Sequence, residues 1–125
     1  MRKLFLIGLL GFSMVARSET PAHIHFDIKK HDFGNIDSKV IDTLSFDFIF
    51  KNTGDSTLFL QKVDVSCGCT KPEWTKKPIK KGETGVVKIS FNSKTIKGKF
   101  LKSIFVKLNA DNHIELLKIE GEVIN

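Results

Sequence analysis

Residues 42–52, which read DTLSFDFIFKN, decide the fold. Successive side chains of a β-strand point to opposite faces, so a period of two separates an inner row from an outer one. The apolar row, which is largely aromatic, consists of Leu44, Phe46, Phe48 and Phe50. The other row, which only Ile49 interrupts, consists of Thr43, Ser45, Asp47 and Lys51. A helix would scatter the four apolar residues around its circumference, so the stretch predicts a half-buried strand with an aromatic inner face.

The same alternation recurs in three later segments, at 84–93, 100–110 and 113–124. Their inward rows are Val87, Ile89 and Phe91; Ile104, Val106 and Leu108; and Leu117, Ile119 and Val123. Reversals are predicted between the segments because turn-forming residues collect there, as in KGK at 97–99 and ADN at 110–112. The sequence NTGDST at 52–57 ends the first strand with residues that tolerate left-handed backbone angles.

Two segments depart from simple alternation. The stretch LFLQKVDV at 58–65 places apolar residues on both faces, which predicts a strand covered on both sides or one with a bulge. In KPEWTKKPIKKGE at 71–83, Pro72 and Pro78 lack the amide proton that a central strand donates. This stretch is therefore predicted to be a loop with at most one short edge strand around Trp74.

Two further extended pieces, HIHFDI at 23–28 and HDFGNI at 31–36, bring the total to about seven short strands without a convincing helix. Seven strands in about a hundred residues are typical of an all-β fold in which two antiparallel sheets pack as a sandwich. A small closed barrel is the alternative.

The first 18 residues have the three parts of a secretory signal. Arg2 and Lys3 precede an apolar run at 4–15, and Ala16 and Ser18 supply the small residues that a signal peptidase reads. The run is about a dozen residues, whereas a membrane span needs roughly 20; an uncleaved anchor is the rival interpretation. We expect cleavage after residue 18, a single mature domain at 19–125, and a periplasmic or extracellular location.

Cleavage would leave 17 of the 20 basic residues against 14 acidic ones and lower the net charge from +6 to +3. Most of the lysines are scattered rather than gathered into a stripe interleaved with aromatic residues. Such a distribution indicates a solvated surface, and we expect no nucleic-acid partner.

Four segments resemble a known family. They read HDFGNI (31–36), FKNTGDSTLFLQKVDVSCGCTKPEW (50–74), PIKKGETGVVKISFNS (78–93) and IEGEV (119–123). In content, order and spacing they are similar to the bacterial domain-of-unknown-function family numbered 1573, whose Cys-Gly-Cys-Thr stretch corresponds to residues 67–70. The resemblance covers nearly all of the mature chain and implies an exported immunoglobulin-like sandwich. It implies no reaction, because none is established for that family.

The two cysteines of the chain, Cys67 and Cys69, are separated by Gly68. In a fully extended chain their Cα atoms would be about 7 Å apart, which is the limit that a disulfide spans. Gly68 permits the tighter backbone that closure requires. A bridge closing a loop of about three residues would contribute only roughly 1.6 kcal/mol, against roughly 4 for one spanning most of the domain. The pair is therefore not expected to act mainly as a global staple.

Three roles remain open for the pair. It can form a local disulfide that shapes the corner after the strand, which an oxidising compartment favours. It can act in thiol–disulfide exchange or redox sensing, since nearby lysines such as Lys62, Lys71 and Lys76 would stabilise a thiolate. No helix is predicted to begin at Cys67, which weighs against that second role.

The third role is metal binding. Two thiolates at this spacing suit a soft ion such as cuprous copper. His23 and His25, which share a strand face, would complete a site with Cys67 and Cys69 only if the first strand packs beside the cysteines. Histidines in such a strand are more often polar surface. We therefore expect no metal and no cofactor, with this four-residue site as the alternative.

The sequence offers no serine–histidine–acid grouping and no glycine-rich phosphate loop, so catalysis is not expected. Trp74 beside the cysteines is interpreted as a core plug, with a partner contact as the alternative. The leading hypothesis is a non-enzymatic binding or structural module of the cell envelope, which presents a sheet edge and the 67–74 loop to a protein or envelope component. The alternative is a periplasmic thiol-redox or copper-handling protein acting through Cys67 and Cys69.

Overall fold

The computed structural model describes residues 21–125. The predicted signal peptide and its cleavage site lie outside this range. Within it the chain forms eight strands, whose bounds are β1 Ile24–Phe26, β2 Lys30–Ile36, β3 Thr43–Asn52, β4 Leu60–Val65, β5 Thr70–Trp74, β6 Thr84–Asn92, β7 Gly98–Leu108 and β8 Ile114–Val123. A single 3₁₀ turn, Ser93–Thr95, is the only helical element of the described residues, none of which form a helix long and apolar enough to cross a membrane.

The strands form two four-stranded sheets, as the alternation predicted. The first sheet has the order β1-β3-β6-β5, and the second has the order β2-β8-β7-β4. The two-sheet sandwich is confirmed rather than the closed barrel. One pair departs from the antiparallel expectation, because β2 runs parallel to β8, with Lys30 opposite Lys118.

The predicted inward rows form the core between the sheets. Phe48 and Phe50 have no exposed surface, whereas Ile49 between them is 55% exposed. The inward rows of β6, β7 and β8 are buried as predicted; they consist of Val87, Ile89, Phe91, Ile104, Val106, Leu108, Leu117, Ile119 and Val123. Aromatic rings meet edge to face within this core, as in Phe46 and Phe48, whose centroids are 4.8 Å apart.

Strand β4 contains the bulge that its mixed pattern indicated. Its register against β7 shifts between Leu60 and Lys62. The extra residue lets Leu60 and Val63 both lie buried, although they are an odd number of positions apart. Phe59 instead remains 43% exposed.

The predicted tight reversal at 97–99 is wrong in one respect. The chain between β6 and β7 passes from the first sheet to the second through residues 93–97, so these strands do not form a hairpin. Gly98 has a φ of +77°, which favours glycine, and it begins β7 at the end of the crossing. The reversal at 110–112 does join two neighbouring strands, β7 and β8.

Candidate functional site

The cysteines lie in the corner, residues 66–70, where the chain passes from β4 to β5. Each of these strands is at the edge of its own sheet, so the corner joins the two sheets on one side of the sandwich. The sulfur atoms of Cys67 and Cys69 are 2.11 Å apart and form a disulfide. Their Cα atoms are separated by 5.2 Å, which is well inside the extended-chain limit. Of the three roles left open by the sequence, the structure contains the bridge.

Backbone hydrogen bonds fix the corner on both sides of the bridge. The Cys69 N–H donates to the sulfur of Cys67 at 3.2 Å, and the Thr70 N–H donates to the Cys67 carbonyl at 3.1 Å. The Ser66 N–H donates to the Ser103 carbonyl of β7 at 3.3 Å. Cys67 and Cys69 are half-buried, and Gly68 at the tip is exposed, with no atom beyond these two neighbours within 4 Å of the place that a Cβ would take.

The disulfide should contribute little to global stability, because it closes so short a loop. Replacing both cysteines by serine (C67S/C69S) is expected to lower the free energy of unfolding by about 1.6 kcal/mol or less. Urea denaturation monitored by circular dichroism measures this difference. A loss near 4 kcal/mol would mean that the bridge is a structural staple after all.

The edge strand β5 presents few backbone donors to solvent. Thr75 donates its N–H to the Val86 carbonyl of β6 at 3.0 Å, so by antiparallel alternation the backbone groups of Thr70, Pro72 and Trp74 face away from β6. The Thr70 amide is already bonded to Cys67, and Pro72 has none. Within residues 21–125, only the Trp74 amide of this strand remains as an outward donor. The predicted edge strand is confirmed, and its edge is blunted.

Trp74 packs against the core while remaining half-buried. This agrees with its interpretation as a plug at the side of the sandwich. The Nζ of Lys76 lies 4.8 Å from the centroid of the indole ring, within range of a cation–π contact. One part of the Trp74 indole is therefore buried against the core, and the rest is accessible and contacts the Lys76 ammonium group.

The structure does not bring the two histidines to the cysteines. His23 precedes β1 and His25 lies within it, and β1 is at the opposite edge of the first sheet from β5. His25 instead contacts Asp27, with 3.0 Å between its Nε2 and the carboxylate. Among the described residues, no group of three or more histidines, cysteines or acids is arranged to hold a metal ion.

His23 contacts Asp111 in the β7–β8 hairpin, with 2.9 Å between Nδ1 and Oδ1. This hydrogen bond is the main cause that lowers the pKa of the Asp111 carboxyl below its ordinary value. Because the folded pKa is the lower one, the stabilisation from this contact is present above the ordinary carboxyl pKa. It is lost as the pH falls through the folded value.

Replacing His23 by alanine is expected to raise the Asp111 pKa towards its ordinary value. The carboxyl carbon resonance, followed by NMR during an acid titration, measures this change. His25→Ala is the matched control, since His25 contacts Asp27, and it should leave Asp111 unaltered. An unchanged Asp111 pKa in the His23 variant would contradict the assigned cause.

Sequence reasoning missed the difference between the outward faces of the two sheets. In the first sheet, Asp47, Lys88 and Glu73 lie opposite one another across three strands and give a charged row. The second sheet exposes apolar side chains at Leu101, Phe105, Ile114 and Leu116, of which Phe105 and Leu116 are cross-strand partners. The sequence did contain a signal for the apolar outer face, because Leu101 and Phe105 fall outside the inward row of residues 100–110.

Strand order and core together define an immunoglobulin-like β-sandwich, and known structures share it. A protein of unknown function from Porphyromonas gingivalis W83 matches with a TM-score of 0.74 at 16% identity over 86% of this chain, which spans 50% of that protein. The ASH/PapD-like domain 7 of human CEP192 matches with a TM-score of 0.65 at 12% identity, covering 98% of this chain and 99% of that domain. The chaperone YadV matches with a TM-score of 0.60 at 11% identity, over 82% and 52% of the two chains.

The chain belongs to the family described as protein of unknown function DUF1573, whose model matches residues 24–123. This confirms the resemblance drawn from the sequence segments. No curated protein matches the sequence at a significant level. At these identities the similar structures establish the fold alone.

Proposed function

We propose that the mature domain is an exported binding module of the cell envelope. It contacts its partner through the corner surface, defined here as residues 66–77. The observation that carries the proposal is the disulfide, which constrains a corner between two edge strands. It closes so short a loop that its expected contribution to global stability is small. A constraint of this kind preorganises a surface for binding, because less conformational freedom is lost when the partner docks.

Side chains rather than an added strand make the contact. The blunted edge of β5 offers a partner strand too few donors for a regular ladder. Trp74 supplies a partly exposed aromatic ring, a residue type that often dominates binding energy. The corner surface thus replaces the sheet-edge contact that the sequence hypothesis included.

Charge indicates the chemistry of the partner. The corner surface contains three lysines against one carboxylate, Glu73. Lys71, Lys76 and Lys77 are all exposed. A partner surface that carries carboxylates would complement this segment, and its association should weaken as salt is added. Similarity to a chaperone and to a PapD-like domain further supports a binding role for the fold.

A photo-reactive amino acid placed at Lys76 in cells tests the contact. We expect a cross-linked product with an envelope component in cells, and about tenfold less of it in envelope preparations at low salt when Lys77 and Lys71 are changed to glutamate. A control protein carries the same photo-reactive group at Lys76 and glutamate at Lys51 and Lys99, two exposed lysines of other strands. Equal loss in both variants, or no product from Lys76, would overturn the proposed surface.

Export is tested separately on the full chain. We expect the protein from the envelope or the medium to begin at Glu19, as read by mass spectrometry of its N-terminal peptide. Full-length protein confined to the cytoplasm would contradict an exported module.

A further inference from the structure

We propose that the Cys67–Cys69 disulfide is a thiol–disulfide exchange site that oxidises dithiols, with Cys67 as the sulfur that joins the client. The client class is an extended polypeptide or small molecule with two neighbouring thiols. This inference does not rest on the binding role proposed above, because its argument uses only the corner.

The two sulfurs have different surroundings. Cys69 packs against the hydrophobic core, whereas Cys67 is not among the partly buried side chains of residues 21–125 that do so. Gly68 between them is exposed, and apart from the two cysteines nothing lies within 4 Å of the position that its Cβ would take. Cys69 is therefore backed by the core, and Cys67 is the less shielded of the two for a client thiolate.

The backbone also distinguishes the sulfurs electrostatically. The Cys69 N–H donates to the Cys67 sulfur at 3.2 Å. A hydrogen bond to the charged form of a group favours that form, so this contact stabilises Cys67 as a thiolate once the bridge has opened. The polar contact of the Cys69 sulfur is longer, at 3.8 Å from the Thr70 hydroxyl. Cys67 is consequently the better leaving group, which assists the second step, in which Cys67 leaves, and its larger thiolate fraction makes it the more reactive free thiol at neutral pH. The first attack is directed to Cys67 by packing instead, because Cys69 lies against the core.

Exchange proceeds in two balanced steps. A client thiolate attacks the Cys67 sulfur, the Cys67–Cys69 bond breaks, and Cys69 leaves as a thiolate that takes up a proton. The client's second thiolate then attacks its own sulfur in the mixed disulfide, and Cys67 leaves as a thiolate held by the Cys69 N–H. The client loses two electrons to form its disulfide, and the protein takes them up. The protons that the two client thiols released to solvent are balanced by protonation of Cys69 and then of Cys67, so the protein ends as a dithiol.

The direction follows from the size of the ring. Because the bridge closes a loop between residues two apart, chain entropy stabilises it less than it stabilises disulfides across long loops. Stabilisation of the Cys67 thiolate favours the reduced form further. Both effects favour passing the disulfide to a client rather than retaining it.

Single-cysteine variants test the assigned roles. In Cys69→Ser the backbone N–H at residue 69 is retained, so Cys67 should react with glutathione disulfide about tenfold faster than Cys69 does in Cys67→Ser at neutral pH. Mass spectrometry of the mixed disulfide over time gives both rates, and circular dichroism checks that both variants are folded. Equal rates, or a faster Cys69, would overturn the assignment.

Transfer by the intact pair is the second test. The oxidised protein, incubated with a reduced peptide containing two thiols, is expected to lose its bridge while the peptide gains one, which mass spectrometry of both species detects. C67S/C69S is the control and should oxidise nothing. A bridge that stays closed in excess peptide and in excess reduced glutathione is a structural bridge only, and that outcome overturns the proposal without affecting the test of the binding surface.

Discussion

Replacing Phe48 by alanine is expected to lower the free energy of unfolding by about 3–5 kcal/mol, because the change empties a large volume in a close-packed core. The ring has no exposed surface and meets Phe46 at a centroid distance of 4.8 Å. Urea denaturation of the purified mature domain measures the loss. A domain of ordinary marginal stability would lose a large part of its margin through this one change.

Ile49→Ala is the matched control, since it lies next to Phe48 in the same strand and points the other way. Its side chain is 55% exposed, so we expect a change within about 0.5 kcal/mol. Similar losses in the two variants would mean that β3 is covered on both faces or paired in a different register.

Asn52→Ala is expected to cost about 3 kcal/mol, because it removes four hydrogen bonds between this buried side chain and the backbone of three segments. The Asn52 side chain accepts from the amides of His23 and Gly54 at 3.3 and 3.0 Å, and it donates to the carbonyls of Ser56 and Ile79 at 2.8 and 2.9 Å. Asn52 has no exposed surface. Thermal and urea unfolding both measure the effect.

Asn35→Ala is the control for this change, since Asn35 is exposed in β2. We expect it to alter stability by about 0.5 kcal/mol at most. If the Asn52 variant is as mild as the Asn35 variant, the hydrogen-bond network does not hold the segment after β3 to β1 and to residue 79.

The sequence predicted which side chains point into the core, because side chains alternate between the two faces with a period of two within one strand. The row containing Phe48 and Phe50, the bulge in 58–65 and the edge strand around Trp74 all follow from local pattern or from a missing amide. Each of these features needs information from fewer than about fifteen neighbouring residues, the window over which periodicity is informative.

Neighbours in the sheets were not predictable, because the pattern of one strand does not say which strand lies beside it. The parallel pairing of β2 with β8, and the passage between sheets at 93–97, depend on contacts far apart in sequence. The same limit applies to His23 and His25, whose distance from the cysteines is set by the order of strands in the first sheet.

The turn-forming residues at 52–57 correctly predicted where β3 ends, but the predicted reason, a left-handed backbone, is wrong for this segment. None of the described non-glycine residues has a positive φ, and Gly54 is not among the glycines that do. Gly54 is instead required by crowding, since a Cβ there would lie 2.6 Å from the His23 nitrogen and would also meet Pro21 and Ala22. This contact joins segments about thirty residues apart, so no local pattern contains it.

The sequence predicted where the candidate site lies, but not which chemical form the two cysteines take. Spacing and Gly68 allowed the bridge, a redox pair or a soft-metal site, and those chemistries use the same two residues. The structure adds the hydrogen bond from the Cys69 N–H to the Cys67 sulfur and the packing of Cys69, but not Cys67, against the core. These depend on how β4 and β5 meet, which requires the tertiary fold.

The central claim is that the hydrophobic core stabilises the sandwich and that the disulfide orders only the corner surface. Two-dimensional NMR spectra of the backbone amides, recorded for the oxidised and the reduced domain, test it most directly. Resonance changes limited to residues 66–77 and to their contacts in β7, with Phe48 and Leu117 unaffected, are the predicted result. Loss of dispersion across both sheets upon reduction would contradict it.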